Sequence, residues 1–105
     1  KKGDYILKEQ EGLRFTWLIP SAQKNEMEPI LVELGEQGQT QDMPPHEGEE
    51  FGYVLSGTVT LQVGSKHFKV HTGESFCLHP NAPHRIINSG KRTAKFLWVS
   101  TPPNF

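Results

Sequence analysis

Hydrophobic and polar residues alternate along this chain in short runs, and residues typical of turns separate the runs. The clearest run covers residues 58–63, in which Val59, Leu61 and Val63 occupy every second position. A period of two places these apolar side chains on one face of a β-strand. This pattern, with enrichment in β-branched and aromatic residues, predicts eight strands: Arg14 to Ile19, Ile30 to Leu34, Glu50 to Leu55, Thr58 to Val63, His67 to Val70, Ser75 to Leu78, His84 to Ile87 and Lys95 to Ser100.

The turn residues between these runs predict how the strands connect. Gly57 separates two runs that are typical of a hairpin, and further reversals are marked by Gly64-Ser65, Thr72-Gly73 and Asn88-Ser89-Gly90. Short reversals of this kind favour a meander or a double Greek key. No run has the spacing of an amphipathic helix, so the sequence predicts an all-β fold.

The run at residues 96–99 is apolar at consecutive positions and therefore on both faces of a strand. Such a strand is expected inside a sandwich or barrel, where the indole N–H of Trp98 needs a hydrogen-bond partner. Residues 21–28 and 35–45 are predicted to be polar loops. The second loop ends in Pro44-Pro45, directly before His46, and loops that lead into a site commonly shape access to it.

Length and composition indicate one small domain. The core and any site must come from the same 105 residues, so we assign residues 1–105 to a single domain. Only 34% of the residues are hydrophobic, and 10 Gly and 8 Pro interrupt the chain, which again favours short strands over long helices. The formal net charge of -1 predicts that these residues do not bind nucleic acid directly. The basic residues Lys91, Arg92 and Lys95 are interpreted as a solvated turn.

Cysteine content, targeting motifs and the chain start each lead to expectations about where the protein acts and whether the chain is complete. The single cysteine, Cys77, allows no intramolecular disulfide, so we expect a reducing compartment and a buried, inert thiol within the apolar run 76–78. No signal peptide, transmembrane run or lipidation motif is recognisable, which predicts a cytoplasmic, soluble protein without a membrane partner. The sequence begins Lys1-Lys2-Gly3 rather than with Met, which suggests a fragment of a longer chain.

Two histidines and one carboxylate form the candidate chemical site. A turn containing Gly48 separates His46 from Glu50, and His84 begins another predicted strand. If the two strands face each other inside a barrel, two imidazoles and a carboxylate surround one point. This donor set matches a two-histidine, one-carboxylate metal site with exchangeable positions. The spacing allows a metal but does not require one.

A simpler interpretation of the same residues stays open. In that interpretation His46 and His84 lie in loops or at the rim of the barrel and form hydrogen bonds with neighbouring residues. Glu50 is then an exposed member of the acidic run that begins at Glu47. The other three histidines, His67, His71 and His79, are expected at the surface or behind the ligands. Covalent catalysis is not predicted, because the chain has no G-x-S-x-G elbow, phosphate-binding glycine loop or HExxH helix, and Cys77 has no predicted base beside it.

At these residues the sequence resembles the cupin superfamily, whose motifs read G-x5-H-x-H-x3,4-E-x6-G and, approximately, G-x5-P-x-G-x2-H-x3-N. The resemblance implies a double-stranded β-helix, a jelly-roll-like barrel. It assigns the second histidine of motif one to His46 and the glutamate of that motif to Glu50. It assigns the histidine of motif two to His84. The remaining matched positions are Gly38, Gly57, Gly73 and Asn88.

Three positions depart from the cupin pattern. Pro44 stands where the first histidine is expected, and its side chain cannot ligate a metal. His79 and Asn81 stand where motif two has a proline and a glycine. Both positions fall in a turn, which the neighbouring Pro80 and an asparagine that tolerates the left-handed conformation can also form. The incomplete ligand set leaves three outcomes: a divalent metal (zinc, manganese, iron or nickel) held weakly by His46, Glu50 and His84, a metal that recruits another residue as ligand, or a metal-free pocket.

A closer resemblance is to the carboxy-terminal cupin sensor domain of bacterial Xre-type helix-turn-helix transcriptional regulators. The segments that carry it are Met27 to Val32, His46 to Leu55, Pro83 to Arg85 and Trp98 to Phe105. It implies a DNA-binding domain upstream of Lys1, a small-molecule effector in the barrel and a homodimer that orients two DNA-binding heads. The implied ligand pocket comprises His46, Glu50, His84, Tyr53, Arg85 and Trp98.

Strand alternation leaves open whether Tyr53, Arg85 and Trp98 face the pocket or the outside, where core or dimer packing would explain Tyr53 and Trp98. The leading hypothesis is a non-catalytic, ligand-sensing effector domain of a transcriptional regulator. The alternative is a small metal-dependent cupin enzyme, a dioxygenase or isomerase, that uses His46, Glu50 and His84. A plain dimerisation module is the third hypothesis.

Overall fold

The computed structural model describes the backbone of residues 6–10, 12–19 and 24–105, and the side chains of residues 12–19 and 24–105. These parts of the chain form nine β-strands and contain no α-helix. The strands are β1 (Ile6–Gln10), β2 (Leu13–Trp17), β3 (Glu28–Leu34), β4 (Glu49–Ser56), β5 (Thr58–Val63), β6 (Lys66–His71), β7 (Ser75–Leu78), β8 (His84–Ile87) and β9 (Ala94–Thr101).

The nine strands form two antiparallel sheets. The larger sheet has the order β1-β2-β3-β9-β4-β7, and the smaller has the order β6-β5-β8. The all-β prediction is therefore confirmed, and each of the eight predicted runs corresponds to a strand. Strand β1 was not predicted, because its residues Ile-Leu-Lys-Glu-Gln do not alternate.

Several predicted boundaries change in the structure. The strand that begins at Arg14 in the prediction starts at Leu13 and ends at Trp17, and β3 begins two residues earlier than predicted, at Glu28. Residues 21–23 of the first predicted loop lie outside the described residues. The second predicted loop includes two isolated bridges, Gln39 with Ile87 and Met43 with His84, so it follows β8 closely.

The core lies between the facing sides of the two sheets. In β3 and β9 every second residue is fully buried, as the alternation of a half-covered sheet requires. Strand β9 runs between β3 and β4, so Phe96 and Trp98 are buried while Leu97 and Val99 are only partly covered on the outer side. This confirms that the run 96–99 lies inside the larger sheet.

Glycine at position 52 is required by packing rather than by a turn. Gly52 pairs with Phe76 of β7 and lies on the inner side of β4, where a Cβ atom would overlap the Phe76 ring. Phe76 therefore covers the backbone of β4 two residues beyond Glu50. This contact fixes how closely β7 approaches the strand that carries the candidate site.

The expectation of a buried Cys77 is wrong. Cys77 is exposed, because β7 is an edge strand and Cys77 pairs with Phe51 on the outward side of the sheet. The apolar neighbours Phe76 and Leu78 point the other way and pack against the core. Among the described residues, no helix has the length and apolar character needed to cross a membrane.

Candidate metal and ligand site

His46, Glu50 and His84 meet inside the barrel. Glu50 lies on the inner side of β4, His84 is the first residue of β8, and His46 lies in the loop before β4. The Glu50 Oε2 atom is 2.7 Å from His46 Nε2 and 2.9 Å from His84 Nε2. The Glu50 and His84 side chains are inaccessible to solvent, and 15% of the His46 side chain is exposed. We call these residues the His–Glu–His cluster.

Local backbone contacts hold the two histidines in place. The loop before His46 pairs with β8: the Met43 N–H donates to the His84 carbonyl at 2.7 Å, and the His84 N–H donates back at 3.0 Å. The His46 N–H donates to the Pro80 carbonyl at 3.0 Å. The contribution of Met43 was not predicted from the sequence, because a single bridge has no alternation to identify it.

Gly48 makes the turn between His46 and Glu50. Its φ of 107° lies in the left-handed region, and a Cβ atom there would overlap the Thr101 carbonyl at the end of β9. Glycine alone adopts this backbone conformation without strain and has no Cβ atom to overlap the Thr101 carbonyl. The turn therefore brings His46 back over the first inward-facing residue of β4, which is Glu50.

Each imidazole also bonds to a backbone carbonyl through its other nitrogen. His46 Nδ1 donates to the Glu47 carbonyl at 2.7 Å, and His84 Nδ1 donates to the Ala82 carbonyl at 3.1 Å. With the proton on Nδ1, the Nε2 lone pair of each ring points at the Glu50 carboxylate. That arrangement is repulsive unless a cation lies between them, either a proton on Nε2 or a metal ion.

The contacts between Glu50 and His84 also shift the pKa values of both groups. Burial alone would raise the pKa of Glu50, but the hydrogen bonds from His84, His46 and Trp98 and the charge of His84 lower it below its usual value. Burial alone would lower the pKa of His84, but the hydrogen bond and the charge of Glu50 raise it. The buried pair is therefore held as carboxylate and imidazolium when no metal is bound.

Trp98 completes the surroundings of Glu50. Its indole N–H donates to Glu50 Oε1 at 2.9 Å, so the N–H has the partner that the sequence analysis required. The Trp98 side chain is fully buried, and its ring lies 4.6 Å from the ring of Phe105. Both carboxylate oxygens of Glu50 thus accept hydrogen bonds, and Trp98 separates the cluster from the chain segment that ends at Phe105.

Tyr53 and Arg85 do not join the cluster. Tyr53 is exposed on the outer side of β4, because it is three residues from Glu50 and strand alternation turns it away. Arg85 follows His84 directly and points to the opposite side of β8, where its guanidinium donates to Gln62 and Gln39. The expectation that both residues line the pocket is corrected by this geometry. Of the three uncertain residues, Trp98 alone faces inward.

The other residues singled out by sequence have different positions. Asn88 is buried, and its side-chain amide donates to the carbonyls of Leu34, Gly35 and Arg92, so it ties together loops away from the cluster. His67, His71 and His79 are exposed. His79 lies 3.2 Å from the Glu49 carboxylate at the surface. Pro44 is exposed and adds no donor atom.

Sequence reasoning missed a second buried carboxylate. Glu28 is fully buried and accepts hydrogen bonds from Trp17 Nε1 at 2.7 Å and from the backbone N–H groups of Asn104 and Phe105. A glutamate in the sequence Met27-Glu28-Pro29 is ordinarily exposed. No local pattern identifies it, since its partners come from β2 and from the last residues of the sequence.

The donor set of the cluster fits a divalent metal ion. The two Nε2 atoms and a Glu50 oxygen all lie within 4.8 Å of one another. Donor atoms that share one ion at about 2.0–2.2 Å lie roughly 3 Å apart, and the two nitrogen–oxygen distances above are already that short. The Nδ1 bonds to carbonyls orient the rings as metal-binding histidines require. Pro44 leaves such an ion three protein ligands and open positions.

Comparison with known proteins places this arrangement among cupin domains. Residues 30–100 match the family described as Cupin domain, Cupin_2. The HTH-type transcriptional regulator PuuR of Escherichia coli (strain K12) is 25% identical over 89 residues, which cover 84% of this chain and 48% of the regulator. The chain thus spans about half the length of this curated relative.

Solved structures share the fold. The Cupin_2 domain of an XRE family transcriptional regulator from Enterobacter cloacae superposes with a TM-score of 0.77 at 18% identity, covering 89% of this chain and 99% of that domain. A sugar phosphate isomerase from a cupin superfamily, from Silicibacter pomeroyi, gives a TM-score of 0.76 at 21% identity, covering 89% of this chain and 61% of the isomerase. These likenesses confirm the predicted barrel.

Proposed function

The chain belongs to the Cupin_2 family of cupin domains, and we propose that it is the effector-binding domain of a bacterial helix-turn-helix transcriptional regulator. The observation that carries the proposal is the buried His–Glu–His cluster inside the barrel. Support comes from the relative named as an HTH-type regulator, which is similar along 84% of this chain. In this proposal the DNA-binding domain precedes residue 1, and the protein acts in the cytoplasm.

The cluster and Trp98 form the proposed effector site. An effector reaches it past His46, the only cluster residue with solvent exposure. If a divalent ion is bound, His46 Nε2, His84 Nε2 and a Glu50 oxygen hold it, and its open positions supply a Lewis-acid contact for an oxygen of the effector. Effector binding alters DNA binding only if the effector binds two arrangements of the regulator with different affinities.

The outer side of β4 is the proposed dimer surface. Three of the six exposed large apolar side chains in the described residues lie here, at alternate positions: Phe51, Tyr53 and Leu55. We call them the outer apolar strip. A second copy of this chain fits it best, because one strip can pack on the same strip of its partner about a two-fold axis. A two-fold dimer also presents two DNA-binding heads to a pair of half-sites.

Replacing Phe51 with glutamate should convert the dimer to a monomer, since two like charges would meet across the symmetric contact. Light scattering after size-exclusion chromatography measures the mass directly. Phe68→Glu is the matched control, because Phe68 is also an exposed aromatic residue but lies on the other sheet. An unchanged mass for Phe51→Glu would exclude this dimer surface.

DNA binding by the complete polypeptide tests the regulator proposal. We expect the complete polypeptide that contains this domain to bind promoter DNA, with affinity falling as salt rises, and the 105-residue domain alone to show no binding. The His46→Ala variant of the complete polypeptide should still bind DNA. Its DNA affinity should no longer change when a small molecule or metal ion that binds at the His–Glu–His cluster is added. His79→Ala, which alters an exposed histidine outside the cluster, should keep both the DNA binding and this change of affinity. A complete polypeptide without DNA affinity would contradict the proposal.

A metal-dependent enzyme is the second candidate, and the three donor atoms of the cluster favour it. The isomerase with the same fold shows that this barrel also occurs in an enzyme. Metal content and turnover distinguish the two functions. Stoichiometric metal together with catalytic turnover would favour the enzyme over the effector domain.

A further inference from the structure

The two sheets leave an open cleft between their edges. Strand β6 is the edge of the smaller sheet, and β7 is the edge of the larger. We propose that this edge cleft binds a small organic anion with an apolar body, such as an aliphatic or aromatic carboxylate. The proposal goes beyond the function proposed above: the edge cleft is a second site, separate from the effector site at the His–Glu–His cluster.

The size of the cleft suits a small molecule. Its volume is about 770 Å³, and small-molecule sites typically fall between roughly 300 and 1,000 Å³. The cleft is framed by residues from β5, β6 and β7, and its apolar lining residues are Leu61, Val63, Phe68, Val70, Phe76 and Leu78. A ligand with an apolar body would find hydrophobic side chains from both sheets.

Phe68 shows that the lining is incomplete without an occupant. It pairs with Leu61 of β5 and lies on the same inner side as Val70. Val70 is buried, yet Phe68 is 49% exposed. An inward-facing aromatic ring with this exposure borders space that the chain's own side chains do not fill. Burying it against an apolar ligand is favourable in proportion to the area removed from water.

The charges at the cleft select an anion. Lys66 and Lys69 line it, and neither makes an ion pair among the described residues. Lys66 pairs with Val63 and so shares the inner side of β6 with Phe68. The one acidic residue of the lining is Glu74, whose Oε1 accepts the His71 N–H at 2.8 Å. Two lysines against one glutamate give the cleft lining a net positive charge, which complements a carboxylate.

The cleft also borders the His–Glu–His cluster. Val63 is directly opposite His84, and Leu78 is directly opposite Glu50. A ligand that packs against Val63 and Leu78 therefore contacts the cross-strand neighbours of both buried cluster residues. Through these contacts, an occupant of the cleft can shift the strands that carry the cluster.

Octanoate is the probe for the test. Isothermal calorimetry and displacement of the fluorescent anion 1-anilinonaphthalene-8-sulfonate should both show binding to the 105-residue chain. Octylammonium has the same apolar chain and the opposite charge, so it should bind at least about tenfold more weakly. No octanoate binding at about 10 mM, roughly tenfold above a millimolar dissociation constant, would overturn the proposal, and so would equal binding of octylammonium.

Two pairs of variants locate the binding. Lys66→Glu and Phe68→Ser should each weaken octanoate binding by about tenfold or more. Both residues are exposed, so the fold tolerates the changes. Lys91→Glu and Met27→Ser, which alter equally exposed residues outside the cleft, should leave the affinity unchanged. Equal losses in the control variants would overturn the assignment to the cleft.

The outcomes separate this proposal from the regulator proposal and from another occupant. Octanoate binding by a polypeptide that does not bind DNA would support the cleft and contradict the regulator. DNA binding without octanoate binding would overturn the cleft alone. A change of molecular mass in Phe68→Ser would mean that a second copy of the chain occupies the cleft, which overturns the small-anion proposal.

Discussion

Replacing Glu50 with alanine should lower the free energy of unfolding by about 3–5 kcal/mol, the usual cost of removing one partner of a buried ion pair. Its carboxylate is inaccessible to solvent and accepts hydrogen bonds from His46, His84 and Trp98. The variant leaves the fully buried His84 and Trp98 without their acceptor, away from water. Equilibrium denaturation with urea measures the change.

Glu49 is the matched control, since it precedes Glu50 in the same strand and points outward. Its side chain is 54% exposed, and among the described residues it forms an ion pair with the exposed His79. Glu49→Ala should therefore change the stability by no more than about 0.5 kcal/mol, as expected for an exposed pair in water. Equal effects of the two substitutions would show that the cluster does not stabilise the barrel.

Glu50→Gln separates charge from shape at the same position. The amide keeps an oxygen for the Trp98 N–H but removes the negative charge that attracts His84 or a metal ion. Added zinc should raise the melting temperature of the wild-type chain, because an ion that binds only the folded form stabilises it. The increase should be much smaller in Glu50→Gln. An equal increase in both proteins would remove Glu50 from the ligand set.

Replacing Glu28 with alanine should cost about 3 kcal/mol, because its carboxylate accepts several charge-assisted hydrogen bonds at a fully buried position. It joins β3 to Trp17 of β2 and to the backbone N–H groups of Asn104 and Phe105. Losing these bonds should also release residues 104 and 105. Urea denaturation gives the stability, and hydrogen exchange of the two amides reports the release.

The control for this substitution is Glu26→Ala, two residues earlier and exposed. It should leave both the stability and the exchange of the two amides unchanged. Slow exchange at residues 104 and 105 in Glu28→Ala would show that the Phe105 ring, packed at 4.6 Å against Trp98, holds the segment without the carboxylate.

The two buried carboxylates are linked through Trp98. Glu50 holds the indole N–H, while Glu28 holds the backbone of Phe105, whose ring packs on the indole. The segment that carries part of the resemblance to regulator sensor domains, Trp98 to Phe105, thus covers the inner part of the proposed effector site.

The strand pattern was predictable because it is local. In β5 the alternation of apolar and polar residues identifies a strand within six residues. The same reasoning failed for β1, whose residues do not alternate. The resemblance to cupin motifs also singled out His46, Glu50 and His84 as a set, because their spacing from Gly38, Gly57 and Gly73 is contained in the sequence.

Orientation was not predictable from alternation alone. A period of two shows that Glu50 and Tyr53 lie on opposite sides of β4, but it does not show which side faces the core. The same ambiguity applied to Arg85 beside His84. Cys77 was expected to be buried from its apolar neighbours, and it is exposed because β7 is an edge strand, a property of the sheet order.

The sequence by itself determined an all-β chain, the approximate positions of strands β2 to β9 and the three residue types of the candidate site, since these depend on short-range spacing. Tertiary structure decided the rest: the bonds of Glu50 to His84 and Trp98, the burial of Glu28 and the cleft between β6 and β7. These features join residues that are 34 to 77 positions apart or arise where strand edges do not pair. Only the packing of the two sheets brings such groups together, so no local pattern could encode them.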